Sequence, residues 1–167
     1  MRVAAIVTSA GNSTRVGLPE RKQFWRIDGK PLVWHTLASL LTCFPFDQVV
    51  VTVPADLPGD LAREIRSVGE SKVELTPGGR SRHESIMRGL DVVSPCDLVL
   101  IHDGVRPFVT KETVTAVLEA AAAHGAAGCV APLVDTVIMP GTDGFLIGSS
   151  AGANWPPAKR HRPFATR

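Results

Sequence analysis

Val3-Ala4-Ala5-Ile6-Val7-Thr8 is an apolar run that empties into Ser9-Ala10-Gly11-Asn12-Ser13-Thr14-Arg15, with Lys22 close behind. A short, continuous apolar run is the pattern of a strand buried on both faces of a parallel sheet. The small side chains of the turn let backbone N–H groups approach anionic oxygens, and the two cations neutralise charge, so the stretch suits a polyphosphate. Two familiar versions of such a loop fail on spacing. No Lys-Ser or Lys-Thr closes a P-loop, and Gly11 and Gly17 do not form G-x-G-x-x-G. What is left is a loop for a nucleoside triphosphate, with Arg15 reaching over it.

Outward from this loop, strands and helices alternate. Pro31 suits the first turn of a helix running to about Leu41, with Leu32, Trp34, Leu37, Leu40 and Leu41 as apolar positions. Gln48–Val53 reads as a strand, Leu61–Val68 as a helix and Val73–Thr76 as a short strand. A helix from Ser81 to Val93 follows, then a strand at Leu98–His102. Thr110 can N-cap the alanine-rich helix Lys111–His124, which Gly125 ends. Gly128–Pro132 and Thr136–Met139 read as further strands. The βαβα order implies an α/β fold with a mostly parallel sheet covered on both faces and ligands outside the carboxyl ends of its strands.

Composition narrows the function classes. A chain of 167 residues, 44% hydrophobic and 20% charged, has the profile of one folded domain and not of a disordered chain. No apolar run approaches the roughly 18 residues that span a bilayer, and no A-x-A-like cleavage site follows the first strand. Cys43, Cys96 and Cys129 are odd in number and scattered through apolar settings. They read as reduced core residues of a cytoplasmic protein rather than as a disulfide or zinc framework. The net charge of +2 belongs to the end of the chain: without Lys159, Arg160, Arg162 and Arg167 it is −2. Basicity therefore does not point the folded part towards nucleic acid.

Three polar constellations fall at strand ends. Pro77-Gly78-Gly79-Arg80-Ser81-Arg82-His83-Glu84-Ser85 carries two glycines that let the backbone press on a flat base or ribose, with a helix start behind them; the same residues also suit a tight turn with a solvated helix start. In His102-Asp103-Gly104-Val105-Arg106-Pro107 the aspartate is placed to hold Mg²⁺ while phosphates supply other oxygens. It is equally of a type to cap a turn. A His-Asp metal pair of phosphohydrolase type would need partners that His35, His83 and His124 do not offer, and His102 reads as a structural hydrogen-bonder. Asp135-Thr136, between the last two strands, is a turn pair or a sugar-phosphate contact.

Together these segments resemble the cytidylyltransferases that convert 2-C-methyl-D-erythritol 4-phosphate and CTP to the CDP-alditol and pyrophosphate. The likeness rests on Ala10-Gly11, Arg15, Lys22-Gln23-Phe24, Gly29-Lys30-Pro31 and His35-Thr36-Leu37. It continues in Gly78-Gly79, Arg82, Ser85, Gly89-Leu90, in His102-Asp103-Gly104-Val105-Arg106-Pro107-Phe108 and in Asp135-Thr136. It covers about residues 1 to 148. The resemblance implies a three-layer, Rossmann-like nucleotidyltransferase fold. It makes Arg15 and Lys22 the catalytic cations on the α-phosphate, and Ala10, Gly11, Asn12 and Ser13 the phosphate cradle. Gly79 and Ser85 would hold cytosine and ribose, Asp103 the Mg²⁺ ion, and Arg106 and Thr136 the alditol phosphate. A sister group that uses ribitol 5-phosphate shares most of these motifs; the methylerythritol substrate is the expectation. A dehydrogenase fits poorly, because the acidic ribose-binding residue expected about 20 residues after the glycine loop does not end a second strand.

The chain also departs from the family pattern. Ser9 and Ser13 stand where alanine and glycine are usual, and both keep the loop small. Family members continue through a Thr-Pro-Gln segment, an acidic segment and a late lysine motif, with a dimer-forming arm before them, and none of these is seen here. From Ser149 onward the residues show neither helical nor strand periodicity. The expectation is an incomplete catalytic domain over 1–148 followed by an atypical, disordered basic tail over 149–167, with the reading frame lost near Gly148–Ser149. A nucleotide-binding remnant without catalysis is the rival reading of the function, and a genuine short form with a basic binding tail is the rival reading of the C-terminus.

Overall fold

The computed structural model describes residues 1–11, 21–131, 137–140 and 146–150, the last two segments as backbone only. It divides into two compact units, Met1–Gly128 and Cys129–Arg167.

The first unit is built on a four-stranded parallel sheet. Its strands are β1 (Val3–Thr8), β4 (Gln48–Val53), β5 (Val73–Pro77) and β6 (Leu98–Asp103), in the spatial order β5-β4-β1-β6. A two-residue pair, β2 (Arg26–Ile27) and β3 (Lys30–Pro31), leads into helix α1 (Leu32–Cys43). Helices α2 (Gly59–Arg66), α3 (Arg82–Leu90) and α4 (Lys111–His124) complete the unit.

Central β1 is fully buried from Val3 to Val7 because both its faces are covered. Val3, Ala5 and Val7 face one layer with Val33, Leu37 and Leu40 of α1, Ile65 of α2, and Val114 and Leu118 of α4. On the opposite face α3 packs against β1, β4 and β5. Two helical layers around one sheet are the three-layer arrangement expected. The buried face of α1 runs through Val33, Thr36, Leu37, Leu40 and Cys43, a helical spacing that passes between the expected Leu32 and Trp34, which are half-buried.

Local signals set the boundaries well. Pro31 precedes α1 as its N-cap, Thr110 Oγ1 accepts from Thr113 N–H at the start of α4, and Gly125 ends α4 with φ +83°. Helix α2 starts two residues earlier than expected, directly after Pro58, and α3 stops at Leu90 rather than Val93. No strand forms over 128–131. Of the three cysteines only Cys43 is buried; Cys96 is half-buried and Cys129 exposed, so the core expectation for the latter two fails.

In the second unit β7 (Val137–Pro140) pairs antiparallel with β8 (Leu146–Ser150), joining Ile138 to Ser149 and Val137 to Ser150. Thr136, the expected start of the first of these strands, lies outside the described residues. The strand β8 carries regular structure across the boundary expected at Gly148–Ser149, because backbone pairing does not require side-chain alternation.

Candidate active site

Parallel strands in register bring their carboxyl ends into one line. Thr8 is level with Thr52 on one side and with Asp103 on the other, and Thr52 is level with Thr76. The loops that leave these ends enclose an open cavity of about 800 Å³. Ala10, Gly11, Lys22, Gly79, Ser85, Asp103 and Arg106 all line it, so seven of the expected site residues meet in one place. Asn12, Ser13, Arg15 and Thr136 lie outside the described residues.

The β1 loop is tied down from two sides. Ser9 N–H donates to the Thr52 carbonyl at 2.8 Å, continuing the sheet past Thr8. The Gln23 amide, only 3% exposed, donates to the carbonyls of Ser9 at 3.0 Å and Gly11 at 2.7 Å. Gln23 sits in a single 3-10 turn, Lys22–Phe24, next to the expected catalytic lysine.

The loop after β5 is equally self-contained. Gly78 N–H donates to Val53 O, and Arg88 Nη1 donates to Gly78 O. Gly79 N–H donates to Ser85 Oγ at 3.0 Å, and that hydroxyl donates to Ser81 O at 2.9 Å. Ser81 Oγ N-caps α3 by accepting from Glu84 N–H, while Glu84 Oε2 accepts from Arg80 N–H. A methyl group on Gly78 would strike Cβ of Ala10, and one on Gly79 would strike the Glu84 side chain. The close approaches that need these glycines are therefore made within the protein, between the two loops and onto the start of α3. Ser85 likewise shapes its loop, and retains acceptor capacity towards the cavity.

Asp103 is the electrostatic centre. It closes β6, one residue later than expected, and its Oδ1 and Oδ2 accept from Arg82 Nε at 3.1 Å and Arg106 Nε at 2.8 Å. Burial works to raise its pKa, but the hydrogen bonds and charges of Arg82 and Arg106 outweigh burial and hold the carboxyl below its ordinary value. The carboxylate is thus ionised at neutral pH. Behind it, Thr36 Oγ1 of α1 donates to Gly104 O at 3.0 Å and pins the turn. The neighbouring His102 ring interacts with the Asp103 backbone, while its buried Nδ1 has no hydrogen-bond partner. Desolvation lowers the His102 pKa against the pull of Asp103, keeping the ring neutral.

Among the described residues, six cationic side chains and two carboxylates line the cavity. The linear pattern assigns no role to Arg21, Arg80, Arg82 or Arg88. Arg21 is bound at the rim to Asp56, with Nη1–Oδ1 at 2.8 Å. Arg82 and Gln23 stand inside the family-like motifs, but nothing in the linear pattern shows what either touches. The excess of positive charge suits a ligand with several phosphates. Among the described residues no group of three or more His, Cys, Asp or Glu side chains converges on a metal position. A cation here would take one protein carboxylate, Asp103, with phosphate oxygens and water for the rest, a donor set that Mg²⁺ accepts.

A parallel α/β sheet with a cationic, glycine-lined cleft at its strand ends defines a nucleotidyltransferase-like domain. A crystal structure titled 4-diphosphocytidyl-2C-methyl-D-erythritol synthase, from Anaerococcus prevotii, shares this fold with TM-score 0.72 at 21% identity, over 92% of this chain and 66% of that one. The chain belongs to the 2-C-methyl-D-erythritol 4-phosphate cytidylyltransferase family, IspD, whose pattern it matches over residues 3–152. It is 37% identical to a 2-C-methyl-D-erythritol 4-phosphate cytidylyltransferase of Pelotomaculum thermopropionicum, over 87% of this chain and 63% of the relative. It is also 37% identical to a D-ribitol-5-phosphate cytidylyltransferase of Rattus norvegicus, over 86% of this chain and 34% of the relative. The chain thus spans between a third and two thirds of the length of these two relatives. None of the helices, among the described residues, is long and apolar enough to cross a membrane.

Proposed function

We propose that this chain transfers a cytidylyl group from CTP to 2-C-methyl-D-erythritol 4-phosphate, giving the CDP-alditol and pyrophosphate. The observation that carries the reading is the gathering of Lys22, the Ala10-Gly11 loop, Asp103 and Arg106 in one cation-rich cavity. A phosphate oxygen of the alditol forms a bond to the α-phosphorus of CTP, and the bond from that phosphorus to the bridging oxygen breaks, releasing pyrophosphate. The nucleophile is already anionic, so no strong base is required. The protein positions two anions and neutralises their repulsion. In this role Lys22, with Arg15, would carry charge on the α-phosphate, and Arg106 would meet the alditol phosphate. Asp103 would hold Mg²⁺, which when bound supplies positive charge to the triphosphate. Arg82 and Arg106, both on Asp103, would turn to phosphate oxygens as the carboxylate takes up its metal. The reading takes the protein to be cytoplasmic, in keeping with its unpaired cysteines.

The equal identity to D-ribitol-5-phosphate cytidylyltransferases favours ribitol 5-phosphate as the second acceptor to test. The experiment is pyrophosphate release by the purified chain with CTP and Mg²⁺, run in parallel with each alditol phosphate. Release with the methylerythritol substrate and a loss of about 100-fold or more in Lys22→Ala, with the fold retained, is expected. Release with ribitol 5-phosphate alone reassigns the acceptor. Silence with both, from folded protein, overturns the reading in favour of a nucleotide-binding remnant.

A further inference from the structure

Gln23 is a buried polar side chain with no part in the chemistry proposed above. At 3% exposure its amide needs protein partners, and a hydrophobic residue of the same size would fill the space without them. The partners it takes are informative. One nitrogen, Nε2, reaches the carbonyls of Ser9 and Gly11, two residues apart in the loop. A peptide unit is planar, so fixing its carbonyl also fixes the direction of its N–H. Gripping the carbonyls of Ser9 and Gly11 therefore fixes the direction of the Ala10 N–H and holds the Gly11 carbonyl, within a segment whose N–H groups suit phosphate. The preceding residue in the same turn is Lys22, which lines the cavity with Ser9, Ala10, Gly11 and Gln23 itself.

We propose that Gln23 is the positioning residue of the phosphate loop: its amide holds the Ser9–Gly11 backbone in the orientation a nucleoside triphosphate meets, and joins that backbone to Lys22 as one preordered unit. The loop geometry stands by itself; the consequence for nucleotide rests on the function proposed above. Preordering matters because a loop that must be ordered on binding loses affinity to its own conformational entropy.

The test uses the full chain with Gln23→Met, which keeps bulk and loses the donor, and Gln23→Glu, which keeps shape and, ionised at high pH, can only accept. Backbone order parameters from ¹⁵N relaxation are measured without ligand, and CTP affinity is measured by calorimetry. The wild-type Ala10 amide, whose N–H shares a peptide plane with the Ser9 carbonyl, should be as rigid as β1, with an order parameter near about 0.85, and both variants should drop it below about 0.6 while β1 and β4 stay unchanged. CTP should bind about tenfold more weakly, the scale of one or two net hydrogen bonds. A wild-type loop already mobile, or variants with an unchanged loop, would overturn the proposal. So would loosening spread evenly over β1 and β4, which would make Gln23 an ordinary core residue. Loop-specific loosening in a protein that binds no CTP would support the clamp and sink the nucleotide reading instead.

Discussion

At the residue scale, the adjacent pair His102 and Asp103 shows how one strand end sets two protonation states. Asp103 is drawn to the charged form by two guanidinium groups, and His102 is kept neutral by burial. Both pKa values lie below their ordinary values, 6.5 for the histidine and 3.8 for the aspartate. In both cases the unfolded chain binds more protons than the folded one, so stability falls as pH falls. The windows differ. The His102 contribution is complete above pH 6.5 and is lost as pH drops from there towards its lower folded value. The Asp103 contribution is complete above pH 3.8 and is lost below it. Thermal unfolding across pH 3 to 7 should therefore show a first decline below about pH 6.5 that His102→Gln flattens. The stability gap between wild type and Asp103→Asn should hold above about pH 4 and close as pH falls further. A constant gap across that range would mean that the arginine pairs are not formed in solution.

At the scale of elements, the start of α3 is what organises the cavity. The cap at Ser81, the Glu84 contact with Arg80 N–H and the Ser85 hydroxyl together hold the Gly78-Gly79 turn against the β1 loop. The S-x-x-E spacing at Ser81 and Glu84 is that of a capping box, but the glutamate reaches the N–H of Arg80 instead of that of Ser81. Ser81→Ala should cost about 1 kcal/mol in denaturant unfolding, the usual cost of removing a cap. Caps and stops of this kind are legible in sequence because they act over one turn. Thr110, Gly125 and Pro31 are all legible in this way. The end of α3 was not, because Asp91 stays helical in its backbone and nothing in composition marks Leu90 as last.

At the scale of the molecule, stability rests on the sheet and on the helical layer formed by α1, α2 and α4. Phe46, in the connection from α1 to β4, is the largest fully buried side chain among the described residues and packs beside Phe44 with ring centroids 5.1 Å apart. Phe46→Ala should destabilise the fold by about 3 to 5 kcal/mol in urea unfolding, through lost burial and the cavity left behind. By itself the sequence determined the α/β class, the limits of β1, β4 and α4, and the gathering of Lys22, Asp103 and Arg106 at strand ends. Buried parallel strands are written as unbroken apolar runs, and a βα order sends every loop after a strand to the same edge. Only the tertiary structure decided what those loops do to one another. Arg82 meets Asp103 although β5, which leads into α3, and β6 lie at opposite edges of the sheet, because the loop after β5 crosses to the β1 loop, where Gly78 meets Ala10. Gln23 is buried because its turn folds back onto the β1 loop, and Gly78 is required because Ala10 sits against it. Such contacts join residues distant in the chain through packing, and packing leaves no period in a sequence.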